Sequence, residues 1–158
     1  MTLEEIKGII DKSLYADLGY IDASGRPAVC RFFSVWHKGI GRHLFSSHTR
    51  FIHSQCLMDG GDACLYFWDE ASFSSVTLFG RAWVTYEHDK KARLWYEGDE
   101  RYFPEGIDDP RYCVIEFAAD SLTYYREDGK AAVPGTEIAA FDEGSVYENG
   151  YARTHPEK

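Results

Sequence analysis

The chain is predicted to fold as a small, mainly β protein, an antiparallel β-barrel with peripheral helices. Two observations lead there. Apolar runs of strand length recur along the chain with turn residues between them, while the stretches with helical spacing are few and short. Consecutive runs are also joined by turns such as Ala23-Ser24-Gly25 that are too tight for a parallel crossover, which needs a dozen or more residues. With 158 residues, of which 44% are hydrophobic and 16% aromatic, the chain can bury one real core and is not a disordered segment.

Taken in order, Thr2 followed by Glu5 has capping-box spacing, and Leu3, Ile6, Ile10 and Leu14 share one helical face. A helix therefore opens the chain. Ala16 to Asp22 reads as a strand and turn. Ala28 to Trp36 is a long apolar run, Lys38 to Arg42 a glycine-punctuated turn, and His43 to Phe45 a second short run. Together they read as a hairpin, with Val29, Phe33 and Val35 on alternate positions. The second strand empties into Ser46-Ser47-His48-Thr49-Arg50, where Thr49 can cap a short helix through about Met58 that Gly60-Gly61 ends.

Asp62 to Trp68 is nearly continuous apolar sequence, which predicts a strand covered on both faces. Ser74 to Tyr86 reads as a long strand, and Gly80 within it marks a bulge or a close backbone approach. Asp89 to Glu97 has helical character, and Tyr102 to Pro110 is a loop. Tyr112 to Ala118 and Leu122 to Arg126 read as two strands joined through Ala119-Asp120-Ser121. Residues 1–128 thus form the expected barrel domain. From Gly129 to Lys158 no period is sustained, and this stretch reads as a partly ordered tail lying on a partner subunit.

Charge excludes some functions. A net charge of −9 and a pI near 5.1 argue against general binding to nucleic acid or an anionic membrane, since either needs a basic surface. No apolar run reaches membrane-spanning length, and the acidic, amphipathic N-terminus lacks the pattern of a signal peptide. Cys30, Cys56, Cys64 and Cys113 are widely spaced and form no C-x-x-C, which suggests thiols in a reducing compartment. A cytoplasmic protein is expected. His37, His43, His48 and His53 put no pair on one helical face, and no Cys or carboxylate completes a metal set.

The feature that points to a ligand is the hydroxyl-rich junction with its arginine. Helix-start N–H groups favour anions, and Arg grips phosphate in bidentate fashion. The bland alternative is a helix cap with one solvated arginine. Arg31, at a core-facing position within an apolar strand, needs a partner, which either a phosphate or an acidic residue could supply. Trp36, Trp83 and Trp95 fit core or interface packing, while Tyr66 and Trp68 are the candidates for lining a pocket. Asp108-Asp109 before Pro110 read as loop caps.

In order, these segments run Asp-x-x-Gly-Arg-Pro, apolar strand, Gly-turn, short strand, Ser/Thr cluster, Thr-Arg, helix, and then a strand with a central Gly. That order resembles the FMN-binding split-barrel superfamily. Within it the chain is similar to the pyridoxamine 5′-phosphate oxidase-like proteins of the general-stress-protein branch. The segment Leu94 to Phe117 also looks like that branch. The resemblance covers about Asp17 to Arg126 and implies FMN as cofactor, a homodimer with flavin at the subunit interface, and flavin-mediated redox chemistry on a small molecule. It implies that Arg31, Phe32, Phe33 and Ser34 meet the FMN phosphate and ring. Phe45 with Ser46 or Ser47 would supply a hydroxyl, and Thr49, Arg50 and Phe51 would form the phosphate clamp. Ser75 falls where the oxidase has a flavin-touching glutamine. Phe51 replaces the usual clamp lysine, and the oxidase's aromatic–Arg–His substrate signature is not recognisable, so pyridoxamine phosphate oxidation itself is not expected. Non-catalytic holding of flavin or haem, F420 in place of FMN, and a cofactor-free dimer stand as alternatives.

Overall fold

The computed structural model of the chain describes residues 1–149. Helix α1 (Leu3–Lys12) opens with the expected box: the Thr2 hydroxyl accepts the Glu5 N–H, and the Glu5 carboxylate accepts the Thr2 N–H. Strands β1 (Tyr15–Ile21) and β2 (Pro27–Phe33) follow, joined by a turn in which the Asp22 carboxylate accepts the N–H groups of Ser24 and Arg26. Next come β3 (Trp36–Lys38), β4 (Arg42–His48), α2 (Ile52–Cys56), β5 (Gly61–Asp69), β6 (Ser74–Thr85) and α3 (His88–Leu94). A single 3-10 turn (Asp99–Arg101), β7 (Tyr112–Arg126), β8 (Gly129–Pro134), α4 (Gly135–Glu143) and β9 (Tyr147–Asn149) complete the described chain. The strands form one antiparallel sheet in the order β2-β1-β5-β6-β7-β4-β3-β9, with β8 added to β7.

The sheet curls into a half-barrel. Its concave side is filled by Ile6, Ile9 and Ile10 of α1 against Leu18, Leu65, Phe67, Leu78 and Phe117. A second cluster, Trp36, Leu44, Leu94, Phe103, Tyr112 and Val114, packs α3 and its following loop on the outer side of β4 and β7.

Several segments differ from the sequence reading. The run Ala28 to Trp36 is not one arm of a hairpin. It breaks at Ser34, which is fully buried and donates its N–H to Leu14 O at 2.9 Å. Residues before the break pair with β1, and only Trp36–Lys38 pair with β4. Two residues can link these distant positions in the sheet because its curl brings β2 against β4, where the rings of Phe32 and Phe45 stack at 4.9 Å. Helix α2 is also shorter than expected: Phe51, not Thr49, stands at its N-cap, with no side-chain cap.

Strand β5 alternates rather than being covered on both faces, leaving Tyr66 and Trp68 exposed. The two predicted C-terminal strands are one continuous β7. Its register against β6 shifts between Phe79 and Gly80, and a Cβ on Gly80 would overlap the Ala118 carbonyl, so both senses of the glycine signal hold. Beyond Asp128, residues 129–149 form β8, α4 and β9 on the barrel, while 150–158 of the expected tail lie outside the described residues.

Candidate functional site

Strand β4 ends in a sharp corner before α2. Thr49 N–H donates to Arg111 O and Phe51 N–H to His48 O, both at 3.0 Å, which folds the chain back. Arg50 N–H donates to Nδ1 of His48 at 3.0 Å, so that nitrogen is the acceptor and the imidazole carries its proton on Nε2. Arg50 and Phe51 are left outward, Phe51 being 50% exposed. The Phe51 ring lies between the imidazoles of His48 and His53, each with its centroid 5.5 Å away. Phe103, delivered by the loop after α3, stacks on His48 at 5.7 Å.

Beneath this collar, the Ser47 hydroxyl lies 2.8 Å from His53 Nε2 and 2.8 Å from the Ser54 hydroxyl. Burial, then the charges of Arg50 and Arg111, lower His48 from its ordinary pKa against an opposing pull from Asp109; burial lowers His53. Arg111 is held by Asp109 in a two-point pair, which keeps that carboxyl far below the usual carboxylate range. Among the described residues no such carboxylate engages the Arg50 guanidinium.

Elsewhere, the sheet's outward side carries an apolar field. Val29 is 73% exposed, and Ile21, Phe33, Tyr15, Tyr66, Trp68 and Phe79 are exposed on β2, β1, β5 and β6. Register places Arg31 beside Asp17 and Asp17 beside Tyr66 in one row across these strands. The Arg31 guanidinium makes two hydrogen bonds to Asp17, at 2.7 and 3.0 Å, and lies 4.7 Å from the centroid of the Tyr15 ring. These residues, with Lys12, Tyr66 and Trp68, line a cleft of about 400 Å³.

The predicted site residues therefore fall into three places. Arg31, Phe33 and Ser75 belong to the outward face. Arg31 is thus not core-facing, and its partner is the acidic residue Asp17. Thr49, Arg50 and Phe51 form the corner. Phe32, Ser34, Phe45 and Ser47 are buried, and the Ser47 hydroxyl is already engaged. Ser46 lies half-buried on the side of β4 facing Tyr112, 3.5 Å from its hydroxyl. One chain does not bring Arg31 and Arg50 onto a single anion, because Phe32 faces Phe45 and His53 while Arg31 points away. Sequence reasoning missed the collar. In the sequence His48 and His53 read only as candidate metal ligands, and nothing local shows that Phe103 joins them.

A phosphate monoester at the corner would meet the Arg50 guanidinium, the His48 Nε2–H and the Thr49 hydroxyl, which makes no hydrogen bond among the described residues. The residues fit such a group, with one fixed cation. Tyr66 and Trp68 on the outward face are suited to stacking on a flat heteroaromatic ring.

The opposite end of β4 is organised differently. His37 and His43 are fully buried and stacked at 5.6 Å. His37 Nδ1 bonds Gly39 O at 3.0 Å and His43 Nε2 bonds Ile40 O at 2.8 Å, while Asp142 of α4 accepts the N–H groups of Ile40 and Gly41, both at 2.8 Å. Desolvation pushes His43 down to about 3, so it stays neutral. Nearby, a cleft of about 640 Å³ is floored by Glu116, whose buried carboxylate joins Arg42 and Lys90 and so ties α3 to the sheet.

A half-barrel of antiparallel strands with a short helix after the fourth strand defines a split-barrel protein. The chain belongs to the family described as pyridoxamine 5′-phosphate oxidase like, whose model matches residues 44–143. Among solved structures it is similar to a protein related to general stress protein 26 from Clostridium acetobutylicum. That pair shares 29% identity and a TM-score of 0.74, over 86% of this chain and 96% of the other. General stress protein 26 from Bacillus anthracis matches at 14% identity and a TM-score of 0.67, over 84% and 97%. A haem-binding protein from Mycobacterium smegmatis matches at 16% identity and 0.69, over 87% of this chain and 60% of the other. These two lower-identity matches speak to fold alone. No curated protein matches the chain. Among the described residues, no helix is long and apolar enough to cross a membrane.

Proposed function

We propose that the chain binds FMN at the β4–α2 corner and acts as a flavin-dependent oxidoreductase on a small molecule, as a homodimer. The observation that carries this reading is Arg50. In a chain of net charge −9, a cation with no carboxylate partner among the described residues stands beside an unused Thr49 hydroxyl. Both lie inside the stretch matched to the family. Bound flavin supplies hydride exchange at its own ring, and the protein's work is to bind and orient. Arg50 and Thr49 hold the phosphate, and His48 donates from Nε2.

A second copy laid on the outward face brings Arg31, Tyr66, Trp68 and Ser75 to the corner of the first and covers Val29 and Phe33. Apolar side chains exposed together on one face support this pairing. The four free cysteines fit the reducing cytoplasm.

A second reading is non-catalytic holding of flavin or haem. His48, whose Nε2–H has no partner among the described residues beside the exposed Phe51, favours it, as does the structural likeness to a haem-binding protein. The visible spectrum of the purified protein, repeated after adding FMN and removing the excess, tests both. A retained two-band flavin spectrum, with turnover of a reduced nicotinamide, supports the oxidoreductase. Flavin retained without turnover, or an intense Soret band, supports holding. A colourless protein that ignores FMN removes both and leaves a cofactor-free dimer.

A further inference from the structure

A phosphate monoester carries about −1.5 to −2 charges at neutral pH. Within one chain, Arg50 is the corner cation with no carboxylate partner among the described residues, while Arg111 nearby is held by Asp109. Phe51 beside Arg50 is uncharged, yet its ring is flanked by two imidazoles. These differ in what protonation would do. His48 uses Nδ1 to accept the Arg50 N–H, so a second proton there would break that bond and the turn it supports.

His53 has no such conflict. Its Nε2 faces a hydroxyl, Ser47, which in turn faces the hydroxyl of Ser54, and the pair can reverse its donors when the imidazole gains a proton. The groups packed on His53 are neutral: Ser47 from β4, Ser54 and Phe51 around α2, Phe32 from β2 at 5.0 Å and Tyr20 from β1 at 6.5 Å. The thiols of Cys30 and Cys56 and the carboxylate of Asp22 lie near Tyr20, Arg50 precedes Phe51, and no carboxylate is paired with His53 among the described residues.

We infer that His53 is the second, proton-dependent cation of this corner: protonated, it joins Arg50 in holding the phosphate, and the site grips its ligand more tightly as pH falls. This rests on the FMN reading and adds its regulation. In the free protein burial lowers His53 from its ordinary pKa, and an arriving dianion favours its protonated form. Binding then takes up a proton, and affinity rises by at most about tenfold for each pH unit lowered. Below about pH 6 the phosphate itself gains a proton, which limits the effect.

The test is fluorescence titration with FMN, and with riboflavin, which lacks the phosphate, from about pH 8 to about pH 6. Wild type should tighten for FMN several-fold over that range, while riboflavin affinity stays flat. His53→Gln, which keeps a hydrogen bond to Ser47 without a charge, should lose the FMN slope. Phe51→Lys, at an exposed position, should bind FMN more tightly with a much smaller slope and serves if the Gln variant fails to fold. An equal slope in wild type and His53→Gln, an equal slope for riboflavin, or an undiminished slope in Phe51→Lys would overturn the inference while leaving FMN binding intact. Absence of FMN binding at every pH would remove the FMN reading and this inference with it.

Discussion

Strand β4 has histidines at both ends, and the two ends use them in opposite ways. At the start, His37 and His43 spend a ring nitrogen each on the carbonyls of the Gly39–Ile40 turn, and Asp142 takes the amides of Ile40 and Gly41. These bonds serve the main chain, and the other His37 nitrogen lies 3.3 Å from the Asp11 carboxylate. At the other end, Arg50 and the Thr49 hydroxyl have no such use, and an exposed ring sits between two imidazoles. Similar residue types thus make a structural joint when their donors are consumed and a receptive corner when they are left over.

The sharpest separation of the two ends is by acid. His43 is neutral in the fold with a pKa of about 3, so the unfolded chain binds a proton that the native chain refuses once the pH drops below its ordinary value of 6.5. Stability from this group is complete above that value and is lost as pH falls toward about 3, at about 1.4 kcal/mol per pH unit and roughly 4–5 kcal/mol in all. Urea unfolding across pH should show a shallower acid loss in His43→Gln. Identical slopes would mean the joint does not depend on a neutral imidazole.

Next in size, Asp142→Ala strands two amides and should cost about 2–5 kcal/mol by the same unfolding measurement, with FMN affinity unchanged in the protein that remains folded. A change of less than about 0.5 kcal/mol would make the joint dispensable. On the outward face, Phe33→Glu should weaken self-association by about 2–4 kcal/mol, read as a shift to monomer in sedimentation. An unmoved dimer would put the subunit contact elsewhere. The smallest effect is expected for Arg31→Ala, whose exposed pair with Asp17 should contribute less than about 1 kcal/mol to stability. A larger loss in thermal unfolding would make that pair a structural element of the face.

Local pattern gave most of the elements. The capping box of α1, the strand at Ser74 and the glycine strain at Gly80 were legible because neighbours in sequence decide them. What depended on distant partners was not. The break at Ser34 needs the curl that sets Phe32 on Phe45, and α4 is anchored by Asp142 to an amide 102 residues away. β7 runs straight through Ala119-Asp120-Ser121, which resembles a turn, because Gly80 lets the two backbones press together and absorb a register shift. At the site, Arg50 stands out from sequence, but Arg31 reads as core-facing and strand parity reverses that. The His48–Phe51–His53 collar is hidden because its members read singly, the histidines as candidate metal ligands and Phe51 as a departure from pattern.

The measurement that bears most directly on the corner is the FMN dissociation constant of Arg50→Ala beside wild type, with unfolding followed on the same samples. Arg50 is exposed and carries no ion pair among the described residues, so its removal should leave stability within about 0.5 kcal/mol. Losing a charge-assisted bond to phosphate should weaken FMN about tenfold or more. Equal affinities for FMN in the two proteins would contradict the assignment of this corner as the phosphate site.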